Sequence, residues 1–104
     1  MITIDTSFLQ QRLAKLRTDK NISARELSLR LGQSEGYINA IETGKSNPSI
    51  VMLFYICEEL EISVSEFFDE SNNYPTLTNE IIKESKRLNK KSLESVLNIM
   101  RNMV

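Results

Sequence analysis

Four hydrogen-bonding side chains, Glu35, Tyr37, Asn39 and Thr43, share the outer side of a short segment. The apolar residues of that segment, Ile38 and Ile41, lie three apart. A carboxylate can accept a hydrogen bond from cytosine N4, and an amide can make a paired contact with adenine. The chemistry on offer is therefore recognition rather than bond-breaking. The chain has no histidine and one cysteine, Cys57, so the commonest general base is missing and a protein-made zinc site is not expected. No nucleophile stands beside a base and no glycine-rich loop could cradle phosphate. No enzyme activity, cofactor or metal is expected.

The elements around these residues are helical. Ser23 is placed to cap a helix opened by Ala24, Arg25 and Glu26, with Leu27 and Leu31 on one face. Gly32 follows, where a helix ends readily. Ser34 is then expected to cap a second helix running to Thr43. Two such apolar faces close on each other only at a steep crossing angle, the layout of a helix-turn-helix. Upstream, Phe8, Leu9, Leu13 and Leu16 form the stripe of a helix from Thr6 or Ser7 to about Asp19. Downstream, Ser49 can cap the run IVMLFYICEELE, apolar on most sides and so expected to be the central core helix. Phe54, Tyr55, Phe67 and Phe68 are expected in the core. Ser63 and Glu66 form a capping box before a short helix, VSEFFDE. The stretch SNNYP reads as a linker. Thr78 or Asn79 is expected to start a sixth helix and Asn89 a seventh. The expected organisation is a domain over 1–70, a linker over 71–77 and a helical pair over 78–104.

Charge is uneven along the chain. The net charge is −1, but residues 1–70 hold 7 Lys/Arg against 11 Asp/Glu, and residues 71–104 hold 6 against 3. Up to Lys45 the count is 7 basic to 5 acidic. The acids concentrate between Glu58 and Glu70, so they can face away from a polyanion. Lys83, Lys86, Arg87, Lys90 and Lys91 read as a solvated helix surface. No apolar run approaches the roughly 20 residues that span a bilayer, and MITIDTSF has no secretory pattern. A reducing, cytoplasmic setting fits the lone cysteine.

Read in order, Leu16-Arg17, Ser23-x-x-Glu26-Leu27, Leu31-Gly32-x-Ser34, Tyr37-Ile38, Ile41-Glu42-x-Gly44-Lys45, Asn47-Pro48-Ser49, Ile62-Ser63 and Phe67-Phe68 resemble the Cro/C1 (XRE-type) family of DNA-binding proteins. The resemblance covers about Leu9 to Phe68. It implies an all-α fold, a five-helix lambda-repressor-like domain, here with a C-terminal helical extension. It also implies a third helix in the major groove of double-stranded DNA and a two-fold dimer on a palindromic site. The DNA-facing positions carried over are Gln33, Ser34, Glu35, Gly36, Tyr37, Asn39, Ala40, Thr43, Lys45 and Asn47. Arg17 and Glu42 match a structural ion pair of the family. The chain departs from the pattern at Ala24, where the family often has a phosphate-gripping glutamine. Gly36 and Ala40 stand where larger polar residues often read bases.

The stripe Leu93, Val96, Leu97, Met100 and Val104 is too apolar to leave in water. Pairing with a second copy is the expected use, because a dimer doubles the site read. The resulting function is a sequence-specific regulator, a repressor that occludes a promoter. The alternative is a protein-interaction module, or an antitoxin-like autoregulator whose C-terminal helices bind a protein partner.

Overall fold

Polar side chains at the helix starts frame the chain. The computed structural model describes residues 6–104, so most of the segment read for a leader lies outside the described residues. Among the described residues there are seven helices and no strand. They are α1 (Ser7–Asp19), α2 (Ala24–Arg30), α3 (Tyr37–Glu42), α4 (Ile50–Glu59), α5 (Val64–Phe67), α6 (Pro75–Ser85) and α7 (Lys90–Asn102). Ser23, Ser49 and Ser63 stand in extended backbone and accept from the N–H groups of Glu26, Met52 and Glu66. Asn89 accepts likewise from Ser92. The Glu66 carboxylate returns the favour by accepting from the Ser63 N–H at 2.9 Å. Gly44 follows α3 with φ 79°, where a Cβ would also come within 2.8 Å of the Gln10 amide nitrogen.

Helices α1 to α5 close around one core. It comprises Leu13, Leu16, Ile22, Leu27, Ile38, Ile41, Ile56, Cys57, Leu60, Ile62 and Phe67. Each such side chain contributes about 1.5–3 kcal/mol on burial. Helix α4 is not the central core helix that its apolar run predicts. Ile56 and Cys57 are buried and Leu53 partly so, while Ile50, Val51, Phe54 and Tyr55 are exposed. A unit of five short helices can cover one side of α4 and has no element left for the other. Phe68 is also half exposed, against the rings of Phe67 and Phe8.

Helix limits shift as well. Leu60 caps α4, and Glu61 turns the chain with φ 58°, so α4 stops short of Glu61. Helix α5 ends at Phe67 rather than Glu70. Helix α6 starts at Pro75, inside the stretch expected to be a linker, because proline at a first helical position has no N–H to lose.

Arg12 explains why that stretch is held. It is 5% exposed, on the inner side of α1. Its guanidinium donates to the carbonyls of Phe67 at 2.7 Å, Glu66 at 2.8 Å, Asp69 at 3.0 Å and Asn72 at 2.8 Å. These carbonyls belong to the end of α5 and the turn after it, where those of Glu66 and Asp69 accept also from the N–H groups of Asp69 and Asn72. A planar fork of five donors can serve several acceptors at once, and an ammonium cannot match that geometry. Lys15 donates to the Asn73 carbonyl and lies 4.3 Å from the centre of the Tyr74 ring. Thr76 donates to the Leu60 carbonyl and Asn79 to the Glu66 carboxylate, both at 2.8 Å. Pro75 is fully buried.

Beyond this anchorage the chain leaves the head. Helix α7 buries no residue. The radius of gyration is 16.9 Å, against about 13 Å for a compact chain of this size. Helices α6 and α7 thus form an arm on a five-helix head.

Arg12→Met keeps an unbranched stem but leaves several carbonyls without their donor. Its expected cost is about 3 kcal/mol, read as a lower urea midpoint; an unchanged midpoint would show that water replaces the guanidinium.

Burial pushes the Cys57 thiol up from 9.0 to about 11. The folded state therefore holds the proton more tightly. The associated stability is fully present below pH 9.0 and is lost as pH rises toward about 11. Cys57→Ala is expected to flatten the fall of stability across that interval in urea titrations, and equal slopes would refute it.

Candidate nucleic-acid interface

Leu27 on α2 and Ile38 and Ile41 on α3 are fully buried, so the two helices meet through these faces. This leaves the opposite side of α3 to solvent. The helix is shorter than the expected Ser34–Thr43: it spans Tyr37–Glu42, six residues. Ser34 is not its cap. The Ser34 carbonyl accepts from the Tyr37 N–H at 3.1 Å, closing a turn before the helix. The Ile38 N–H, which a longer helix would direct to Ser34, goes instead to the Ser28 hydroxyl at 2.9 Å. Ser28 is fully buried on α2 and donates to the Ala24 carbonyl at 2.7 Å. One buried hydroxyl thus joins α2 to the start of α3. Ser28 carries no cap or motif signal in the sequence beyond its place directly after Leu27.

Arg17 and Glu42 hold the other end of α3. The guanidinium meets the carboxylate through two bonds, Nε to Oε2 at 2.7 Å and Nη2 to Oε1 at 2.9 Å. Its remaining arm donates to the Ile22 carbonyl at 2.9 Å. Both side chains are mostly buried, at 17% and 11% exposure. The hydrogen bonds that Arg17 donates to Glu42 raise the Arg17 pKa above its ordinary value, so the guanidinium stays charged.

Ser34, Glu35, Gly36, Asn39, Thr43, Lys45 and Asn47 are exposed around α3, and Gln33, Tyr37 and Ala40 are half-buried. The Ala40 carbonyl accepts from the N–H groups of Lys45 and Ser46, which ties the loop carrying Lys45 and Asn47 to the end of α3. The Thr43 hydroxyl donates to the Asn39 carbonyl at 2.8 Å, which leaves it as an acceptor. Burial raises the Tyr37 phenol pKa, so at neutral pH it keeps its proton and remains a donor. Arg25, at the start of α2, sits 3.1 Å from Glu35 across the turn. Nothing in the residue order places Arg25 at this face, because ten residues and a turn separate the pair. Arg25 offsets the one carboxylate there and adds a guanidinium beside it.

The helix-turn-helix family matches residues 13–67, just over half of the chain. The chain belongs to the Cro/C1-type (XRE) helix-turn-helix family. This is a family of DNA-binding transcription regulators, and the matched stretch holds most of α1 and all of α2 to α5. The uncharacterized HTH-type transcriptional regulator y4dJ of Sinorhizobium fredii is 29% identical over 62 residues, covering 60% of this chain and 80% of the relative. No solved structure matches the chain. Among the described residues, no helix of this helix-turn-helix protein is long and apolar enough to cross a membrane.

Ser28→Ala removes the partner of the Ile38 N–H in a buried place. The expected cost is about 1–3 kcal/mol, with faster hydrogen exchange at the first turn of α3. Unaltered exchange there would mean that the turn at Ser34 holds α3 unaided.

Proposed function

We propose that the protein is a sequence-specific repressor that lays α3 in the major groove and blocks a promoter by occupying it. The observation that carries this reading is the two-sidedness of α3: Ile38 and Ile41 are sealed in the core while Asn39 and Thr43 stand in solvent. Asn39 reads adenine through its amide, and Glu35, held by Arg25, accepts from cytosine. Gly36 and Ala40 admit close approach or a thymine methyl. Tyr37, Lys45, Asn47 and the backbone near Gln33 and Ser34 contact phosphates, which set register rather than sequence.

A head with so short a reading helix gains specificity by pairing. We assign the unburied stripe Leu93, Val96, Leu97 and Met100, with Val104 beyond the helix end, to a homodimer. Two heads then meet half-sites about 34–36 Å apart. The same stripe supports a second reading, in which the arm binds a different protein and the chain acts as an interaction module or antitoxin-like autoregulator.

Titration against DNA from the chain's own upstream region and against a random duplex, at two salt concentrations, separates these readings. The upstream DNA is expected to bind far more tightly. Asn39→Ala is expected to lose roughly 10- to 100-fold on it, the worth of one good base contact, and nothing on the random duplex. Equal binding to both DNAs, vanishing near about 0.15 M salt as phosphate contacts alone would, would replace the repressor reading with the interaction module.

A further inference from the structure

Two apolar surfaces of this chain are left partly open to solvent. One is the outer side of α4, where Ile50 is 76%, Phe54 57% and Tyr55 53% exposed. The other is the stripe of α7. We infer that they cover each other between copies: α7 of one chain lies on α4 of the partner, and the exchange is reciprocal. The inference rests on the homodimer proposed above and specifies how it is made.

Charge favours this arrangement over a pairing of two arms. The head is acidic, with 11 Asp/Glu to 7 Lys/Arg over residues 1–70, and the arm is basic, with 6 Lys/Arg to 3 Asp/Glu over residues 71–104. Arm on arm sets two basic segments together, whereas arm on head sets opposite charges together. The pattern holds at the level of single residues. Glu58 follows Phe54 by one turn and Tyr55 by three residues, on the same side of α4. Lys90 precedes Leu93 by three residues and Leu97 by seven, in line with the stripe of α7. Laid antiparallel, the two helices bring Lys90 to Glu58 and align their apolar rows. Their lengths are comparable, 10 and 13 residues.

The arm does not cover these surfaces within its own chain. Arg12, Lys15 and Thr76 anchor the start of α6, and in that position no residue of α7 is buried, its stripe staying 38–50% exposed from Leu93 to Met100. A single helix laid on a helix is small for a stable complex. A two-fold exchange makes the contact twice, since residue i meeting j implies j meeting i.

Cross-linking between two variants tests the arrangement. One full-length copy carries Tyr55→Cys, and the other carries Leu93→Cys, the stripe residue that faces Tyr55 when Lys90 meets Glu58, and a mass tag. The native Cys57 is buried in both. Mild oxidation of the mixture is expected to give the mixed disulfide, with little product from either variant alone. Phe54→Asp, at an exposed site that leaves the core intact, is expected to weaken the dimer roughly tenfold or more without changing the helical content. Glu58→Lys is expected to weaken it less, with recovery when combined with Lys90→Glu. A dimer in which Leu93→Cys links only to itself would overturn the inference and leave the homodimer standing. Light scattering that returns the single-chain mass at micromolar concentration would overturn both.

Discussion

A helix of six residues does not hold itself together in water, yet the candidate nucleic-acid interface of this protein is built on one. Everything around α3 supplies what its length cannot. The Ser28 hydroxyl takes the first N–H that the turn at Ser34 leaves over. Arg17 grips Glu42 at the other end and reaches the Ile22 carbonyl as well. Ile38 and Ile41 lock the inner side into the core. Asn39 and its exposed neighbours are thus carried on a rod fixed at both ends and along its back. A buried ion pair of this kind sets geometry more than it adds stability. Geometry is what a surface that reads base edges requires.

The same logic recurs at the join between head and arm. Buried cations are costly unless their donors are used. Arg12 uses its donors on four main-chain carbonyls at the end of the short helix α5 and in the turn after it. The result is a stiff exit from the head rather than a flexible linker. Glu66 serves two tasks at this join: it closes the capping box with Ser63 and accepts from Asn79 of α6. These bonds from the Ser63 N–H and from Asn79 lower its pKa, so at neutral pH the carboxylate is charged and able to do both. The direction in which the arm leaves is therefore part of the head's own packing.

Much of the helical layout was legible in the residue order, and the reason is locality. Ser23, Ser49, Ser63 and Asn89 each bond an N–H three residues away, so cap and partner are read together. Gly32 marks the end of α2 through its own backbone, with φ 72°. The inner stripes of α1, α2 and α3 follow from spacing alone. Where the reading failed, a distant group had intervened. Ser34 has the residue type of a cap, but Ser28, on another helix, took the role. The run from Ile50 to Cys57 looks buried all round, but burial needs a neighbour on each side, and one side of α4 has none.

The sequence by itself determined the periods, the caps and the turns, and with them an all-helical chain and the order of its elements. It also determined which side of α3 is polar. Only the tertiary structure decided which polar groups became structural. Arg12 lies 54 to 60 residues from its acceptors, and Arg25 lies across a turn from Glu35. Such pairings depend on where unrelated carbonyls and carboxylates come to rest once the core has closed. A helical or strand period carries no record of them, because a side chain's own sequence neighbours do not determine its partners across the fold.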